Sequence, residues 1–237
     1  MSLFGRKYSI AESGLLQGAT DYHSHILPGV DDGVRSMEKS IEVLQEYERL
    51  GIRRVWLTPH IMEDFPNEPS KLTHRFEELK SRWAGNVELK LAAENMLDNL
   101  FLERFADENL LTMELPEGET LLVETSYFNP PMELWSVLDD IRKHGFRPLL
   151  AHPERYVYMG RKEYDRLKEI GVHLQLNLPS LIGGYGSEAA EKAAKLLADG
   201  AYERFGSDIH RLSAFMSAVE AKVLNKKQIG ALEFIKQ

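Results

Sequence analysis

A chain of 237 residues with 43% hydrophobic and 9% aromatic content is long enough for a substantial core and fits a globular protein. It contains no cysteine, which excludes disulfides, thiolate zinc sites and cysteine-dependent phosphatase chemistry. A formal charge of -8 argues against a protein that mainly grips a nucleic acid backbone, and no apolar run approaches the roughly 18 to 20 residues of a membrane span.

Met1 to Tyr8 has two basic residues and no apolar signal core behind them, which reads as a cytoplasmic protein. Residues 1–18 form an N-terminal extension without a clear role, and 19–237 read as one domain. The first strand covers about Ala19 to Ser24. Ser36 caps a helix with Met37, Ile41, Leu44 and Tyr47 on one face, ended by Gly51. Arg53 to Thr58 is a short strand finishing at Pro59-His60, and residues 63–69 read as a flexible flap. Ser70 to Trp83 is helical, Val87 to Ala93 a strand ending at Glu94, and Asp98 to Glu108 helical.

The second half keeps the rhythm. Thr120 to Glu124 is a strand, and Pro130-Pro131 opens a helix to about His144. Arg147 to Ala151 is a strand stopping at His152-Pro153, followed by a helix from Arg161 to Ile170. Val172 to Leu176 is a strand, the glycines of Gly183-Gly184-Tyr185-Gly186 form a loop, and Ser187 caps a helix to Ala198. Tyr202 to Phe205 is a strand running into Ser207-Asp208-Ile209-His210, and helices near Leu212 to Leu224 and Lys227 to Lys236 close the chain. Parallel strands with crossover helices are implied, and candidate ligands stand at nearly every strand end. A barrel brings all those ends to one rim, which favours it over an open sheet.

The ligand candidates are His23, His25, Asp32, His60, Glu94, Glu124, His152, Asp208 and His210. His23 and His25, like Asp208 and His210, stand one residue apart and can share a strand face. Nine imidazoles and carboxylates without sulfur are too many for one ion and suit two or three of manganese, iron or zinc. Three divalent ions against the four carboxylates leave about +2, which a phosphate monoester dianion balances. Clustered ions of this kind lower the pKa of water to about 7 and clamp an in-line displacement. Arg155 is the natural fork for phosphoryl oxygens, unless it only pairs with Glu154 or Asp165 at the surface. Asp31 supports a ligand or is simply solvated. His74, His144 and His173 read as surface or locally bonded histidines.

The blocks His23-Ser24-His25, Pro28 to Gly33, Thr58-Pro59-His60, Ala93-Glu94, Val123-Glu124, Ala151 to Arg155 and Ser207 to His210 resemble the polymerase-and-histidinol-phosphatase superfamily. More closely, they are similar to its bacterial manganese-dependent tyrosine-protein phosphatases, encoded with capsule and exopolysaccharide genes. The resemblance implies a distorted (β/α)7 TIM-like barrel with a three-metal site. It assigns His23, His25, Glu94 and Asp208 to one ion, Glu94, Glu124 and His152 to a second, and Asp32, His60 and His210 to a third. Arg155 would bind the phosphoryl group. The implied substrate is a phosphotyrosine protein, the tyrosine-rich tail of a bacterial tyrosine kinase, and a homo-oligomer is compatible with this. Residues 61–64 depart from the often basic segment of close relatives. A small-molecule phosphatase such as histidinol phosphatase, and a metal-stabilised regulatory module without turnover, are the alternatives.

Overall fold

Ten short strands are interspersed with ten α-helices and one 3-10 helix (Pro153–Arg155) in the computed structural model, which describes residues 6–107 and 109–235. In chain order these are α1 (Ile10–Ser13), β1 (Thr20–Ser24), α2 (Met37–Leu50), β2 (Arg54–Leu57), β3 (His60–Ile61), α3 (Pro69–Arg82), β4 (Glu88–Leu91), β5 (Glu94–Met96), α4 (Asn99–Ala106) and β6 (Met113–Leu115). There follow β7 (Gly118–Glu124), α5 (Leu134–Lys143), β8 (Arg147–Ala151), α6 (Arg161–Glu169), β9 (His173–Asn177), α7 (Leu178–Leu181), α8 (Gly186–Ala198), β10 (Tyr202–Gly206), α9 (Leu212–Glu220) and α10 (Lys226–Glu233).

The strands run parallel except β6, which forms an antiparallel hairpin with β7. The strands expected to finish at His60 and Glu94 do end just before them, and a further short strand, β3 or β5, begins at each of those residues. Pro59 cannot donate to a ladder, and β2 ends before it. The pieces change partners across the break: β2 pairs with β1 and β4, while β3 pairs with β5 and β5 with β7. From β7 the order continues through β8 and β9 to β10. β10 returns to β1 through a thin seam, a single parallel bridge between Ser24 and Ile209 flanked by Asp208 N–H to His23 C=O at 2.8 Å. Gly206 makes that seam close, because a Cβ there would lie 2.3 Å from His23 Cβ.

Alternation along the strands separates two apolar sets. Val55, Leu57, Leu121, Val123, Leu150 and Phe205 join the large core that includes the helices. Trp56, Leu122 and Leu149, on the other face, meet Tyr22, Ala92, Met113 and Ala151 in a small inner cluster. α2 shows how the helices are fixed. Ser36 accepts the Lys39 N–H, Gly51 caps the end at φ +84°, and Met37, Val43, Leu44, Tyr47 and Leu50 are buried. Ile41, expected on that face, is only half-buried. Full burial of each large apolar side chain contributes about 1.5–3 kcal/mol.

Several expected boundaries shift. α5 starts at Leu134, because the Leu134 N–H closes a turn on the Pro131 carbonyl first. α8 starts at Gly186, with Tyr185 in the capping position and Ser187 already in the first turn. The stretch after His60 is tied down. Met62 and Phe65 exchange backbone bonds, and Asn67 donates to the Val30 and His60 carbonyls. Of the N-terminal extension, residues 1–5 lie outside the described residues, as do Glu108, Lys236, the last residue of the expected terminal helix, and Gln237. The rest packs on the domain: Ile10, Leu15 and Leu16 are in the core, and Tyr8 bridges to Leu224.

Candidate metal centre

Strand ends deliver the polar residues, and local backbone geometry aims them. After β1, Gly33 folds back so tightly on His25 that a Cβ would lie 2.3 Å from its carbonyl oxygen. That turn brings Asp31 Oδ2 to 2.8 Å from His25 Nδ1 and makes it the acceptor of the His60 backbone N–H at 3.1 Å. The ladder between β1 and β2 slips between Asp21 and Ser24, a bulge of the kind that redirects side chains. His152 and Asp208, just past β8 and β10, take the left-handed backbone at φ +36° and +51°. For His152, which precedes a proline, that conformation is doubly unfavourable. Such strain at two strand ends persists only where the surroundings impose it.

Neighbours fix which ring nitrogen is free. His23 Nδ1 lies 2.8 Å from Gln175 Oε1, and the Gln175 amide nitrogen donates to the Tyr22 carbonyl, so the oxygen faces the imidazole. His25 Nδ1 carries its proton toward Asp31, and His210 Nδ1 donates to the Asp208 carbonyl at 2.9 Å. The Nε2 atoms of His23 and His25 therefore present lone pairs, and they stand 3.1 Å apart. Glu94 Oε2 is 3.1 Å from the first and 3.3 Å from the second. His60 Nδ1 is 3.1 Å from Glu94 Oε2 and 3.0 Å from Glu124 Oε1, yet none of these three atoms has a hydrogen bond in proper geometry.

The Glu94 and Glu124 oxygens, buried and without hydrogen bonds, concentrate negative charge that a proton on His60 or a metal cation would offset. Of the four carboxylates with buried side chains, Asp208 pairs with the Arg155 guanidinium, while Asp31, Glu94 and Glu124 lie against histidines. The donor set fits divalent ions with oxygen and imidazole ligands. Among the described residues, three groups have ligand atoms mutually close enough for an ion: His25, Asp32, His60 and His210; His23, His25 and Glu94; His60, Glu94 and Glu124.

The electrostatics follow the same contacts. Burial resists charge on Glu94, but the His23 and His60 imidazoles hold its carboxyl well below the usual range. Burial likewise resists charge on Asp208, and His23 and His25 hold it low. Asp32, hydrogen-bonded to His210, is lowered to about 2. Burial and His25 oppose protonation of His60, yet Glu94 and Glu124 raise it to about 10.

The structure brings all nine sequence-predicted ligands to one rim. His152 Nε2 is 2.9 Å from Glu94 Oε1 and 3.8 Å from Glu124 Oε2. Asp208 Oδ1 reaches His23 at 3.5 Å and His25 at 3.3 Å, and Asp32 reaches His60 at 3.6 Å and His210 at 3.3 Å. Arg155 turns inward, donating to Asp208 Oδ2 at 2.8 Å, while Asp165 pairs with Arg161 instead. Asp31 supports His25. His74 and His144 are exposed and His173 pairs with Glu203, all three away from the rim.

Sequence reasoning missed the second ring of residues. Asn177 donates to Asp208 Oδ2 at 2.7 Å, and Gln175 orients His23. These two amides, one residue apart on β9, repeat the spacing that singled out His23 and His25. Tyr127 and Tyr185 lie with their rings against the Arg155 guanidinium, and Phe65 stacks on His60.

Known proteins share this arrangement of chain. Tyrosine-protein phosphatase YwqE of Bacillus subtilis is 25% identical over 218 residues, covering 89% of this chain and 85% of its own. Tyrosine-protein phosphatase CpsB of Streptococcus pneumoniae is 26% identical over 205 residues, covering 82% and 84%. A chain from the crystal structures of YwqE from Bacillus subtilis and CpsB from Streptococcus pneumoniae, described as metal-dependent tyrosine phosphatases, superposes with a TM-score of 0.74. It is 23% identical and covers 88% of this chain and 89% of its own, so the fold is shared. The family model for capsular polysaccharide synthesis, CpsB/CapC, matches residues 19–229. With nearly the whole of its length matched, the chain belongs to the CpsB/CapC family of capsular polysaccharide synthesis.

Proposed function

We propose that this protein is a metal-dependent phosphatase that hydrolyses phosphotyrosine in proteins. One observation carries the reading: unpaired buried lone pairs and the Arg155 fork face the same pocket, about 410 Å³, whose walls include Phe65, Tyr127 and Tyr185. A floor that attracts a phosphoryl group beneath aromatic walls suits an aryl phosphate. The relatives named as tyrosine-protein phosphatases support it.

His23, His25, Glu94 and Asp208 would hold one ion, Glu94, Glu124 and His152 a second, and Asp32, His60 and His210 a third. His25 and His60 also reach into neighbouring groups, which suits a continuous cluster. Manganese is the ion we favour, with iron and zinc as alternatives for the same donors. When bound, such ions supply positive charge for the phosphoryl oxygens and lower the pKa of the attacking water. Arg155 would meet the equatorial oxygens with its remaining N–H groups. The phenolate leaving group has a pKa near 10, so no strong general acid is required of the protein. The walls would orient the ring and exclude water from it.

The substrate we favour is the tyrosine-rich tail of a bacterial tyrosine kinase, met in the cytoplasm by residues 19–237 acting as one domain. Turnover of a phosphotyrosine peptide and of histidinol phosphate by the manganese-loaded protein, each with and without chelator, tests this. Strong, chelator-sensitive preference for the peptide is expected. Preference for histidinol phosphate overturns the substrate, and turnover that survives complete metal removal overturns the mechanism.

A further inference from the structure

The glycine stretch of residues 183–186 supplies no ligand, yet it lays a side chain directly on the phosphoryl fork. The Arg155 guanidinium carbon sits 3.8 Å from the Tyr185 ring centroid and 4.4 Å from that of Tyr127. The Tyr185 hydroxyl is 3.3 Å from Asp208 Oδ2, the oxygen that also accepts from Arg155 Nη1 at 2.8 Å. Arg155, Asp208 and Tyr185 thus close a triangle, with Tyr127 against the same guanidinium.

The backbone is built for this placement. Gly183 and Gly186 take φ +85° and +90°, and a Cβ on either would meet nothing within 4 Å. The glycines are needed for conformation, not for space. The turn they make presents Tyr185 as the wall between the metal pocket and an adjoining groove of about 770 Å³, since it lines both. Tyr185 as a whole is 40% exposed, while its ring meets Arg155.

A guanidinium bonded only to Asp208 would pivot about that contact, and an arginine side chain has much rotamer freedom to lose. Aromatic rings on it restrict the plane and leave N–H groups directed by the plane's edge. We propose that Tyr185 is a positioning residue, holding the Arg155 guanidinium with Tyr127 and Asp208 so that its free N–H edge meets the phosphoryl group. The inference rests on Arg155 being the phosphoryl ligand.

The test measures binding of inorganic phosphate to the manganese-loaded full chain by calorimetry, with kcat, KM and metal content for each variant. Tyr185→Leu is expected to weaken phosphate about tenfold and raise KM more than it lowers kcat, at unchanged metal content. Tyr185→Phe, which keeps the ring, is expected to stay within about threefold of the parent. In an Arg155→Met background, Tyr185→Leu is expected to cost nothing further, because the group it positions is gone. Tyr185→Asn replaces the leucine variant should that one misfold. Parental phosphate affinity in Tyr185→Leu, or an equal loss with and without Arg155, overturns the role of Tyr185. Parental phosphate affinity in Arg155→Met overturns the reading of Arg155 and the inference with it.

Discussion

Two clusters of histidine and carboxylate sit at opposite ends of the parallel strands, and of these two only one has the makings of a metal centre. At the strand starts, His173 lies 2.5 Å from Glu203, Arg147 donates to both Glu203 oxygens, and Arg204 pairs with Glu117. There the charges answer each other. The atoms left without partners, Arg147 Nη1 and Arg204 Nε, are donors, which a cation would repel. At the strand ends the unpaired atoms include Glu94 Oε2 and Glu124 Oε1, which are acceptors. Size points the other way, since the cleft beside the lower cluster holds about 830 Å³ against about 410 Å³ above. Residue type and cavity volume do not separate the two ends. The sign of what is left unsatisfied does.

The contrast breaks first at the ligands. Asp208→Ala or Glu94→Gln is expected to lose bound metal, by mass spectrometry, and to lower phosphopeptide turnover by about 10²–10³-fold or more. A variant that kept both would remove the basis for calling the upper cluster a metal centre. Next come the residues behind the ligands. Asp31→Asn and Gln175→Leu each remove the partner that fixes a histidine, and metal affinity is expected to fall about 10–100-fold in competition with a chelator. Glu203→Gln, at the other end, is expected to leave metal content at the parental level. Equal losses from all three would erase the distinction.

A third test concerns the turn that aims His25. Gly33→Ala puts a methyl group against the His25 carbonyl, and the strain is expected to cost about 1–3 kcal/mol in denaturant unfolding. An unchanged midpoint would mean that the turn yields freely. The smallest effect is the pH response of the lower cluster. Burial resists charge on Glu203, but His173 and Arg147 depress its carboxyl to about 2 from the ordinary 4.5. A carboxyl lowered on folding stabilises fully above its unfolded value and loses that stabilisation as pH falls from about 4.5 toward about 2. Glu203→Gln is therefore expected to be the less stable protein at pH 6 and to converge with the parent on acidification. A constant gap down to the lowest pH would remove titration of Glu203 as its origin.

Much of the upper cluster was legible because ligand placement obeys short-range rules. The spacing of His23 on β1 and His25 just past its end, and the apolar runs that stop at His60, Glu94, Glu124 and His152, carry their meaning within a few residues. What escaped depends on distant partners. Arg155 was read as the fork for phosphoryl oxygens, but its partner Asp208, 53 residues on, was not. Gln175 and Asn177 have the right spacing, but amides in a strand read as edge polarity until His23 and Asp208 stand opposite them. β6 was invisible because three residues carry no period, and its hairpin with β7 is made by pairing alone. The breaks at Pro59 and before Glu94 were visible as strand ends, although the exchange of partners across them was not.

The thin seam between β1 and β10 also sets an order of events. Asp21 accepts the backbone N–H of Ser207 across 186 residues, and Asp208 meets His23 beside it. A ribosome must release nearly the entire chain before the last ligands can meet the first, and pairings so remote in sequence form late and slowly. No amino-terminal fragment can carry the finished centre. An ion held by this cluster would tie the first strand to the last.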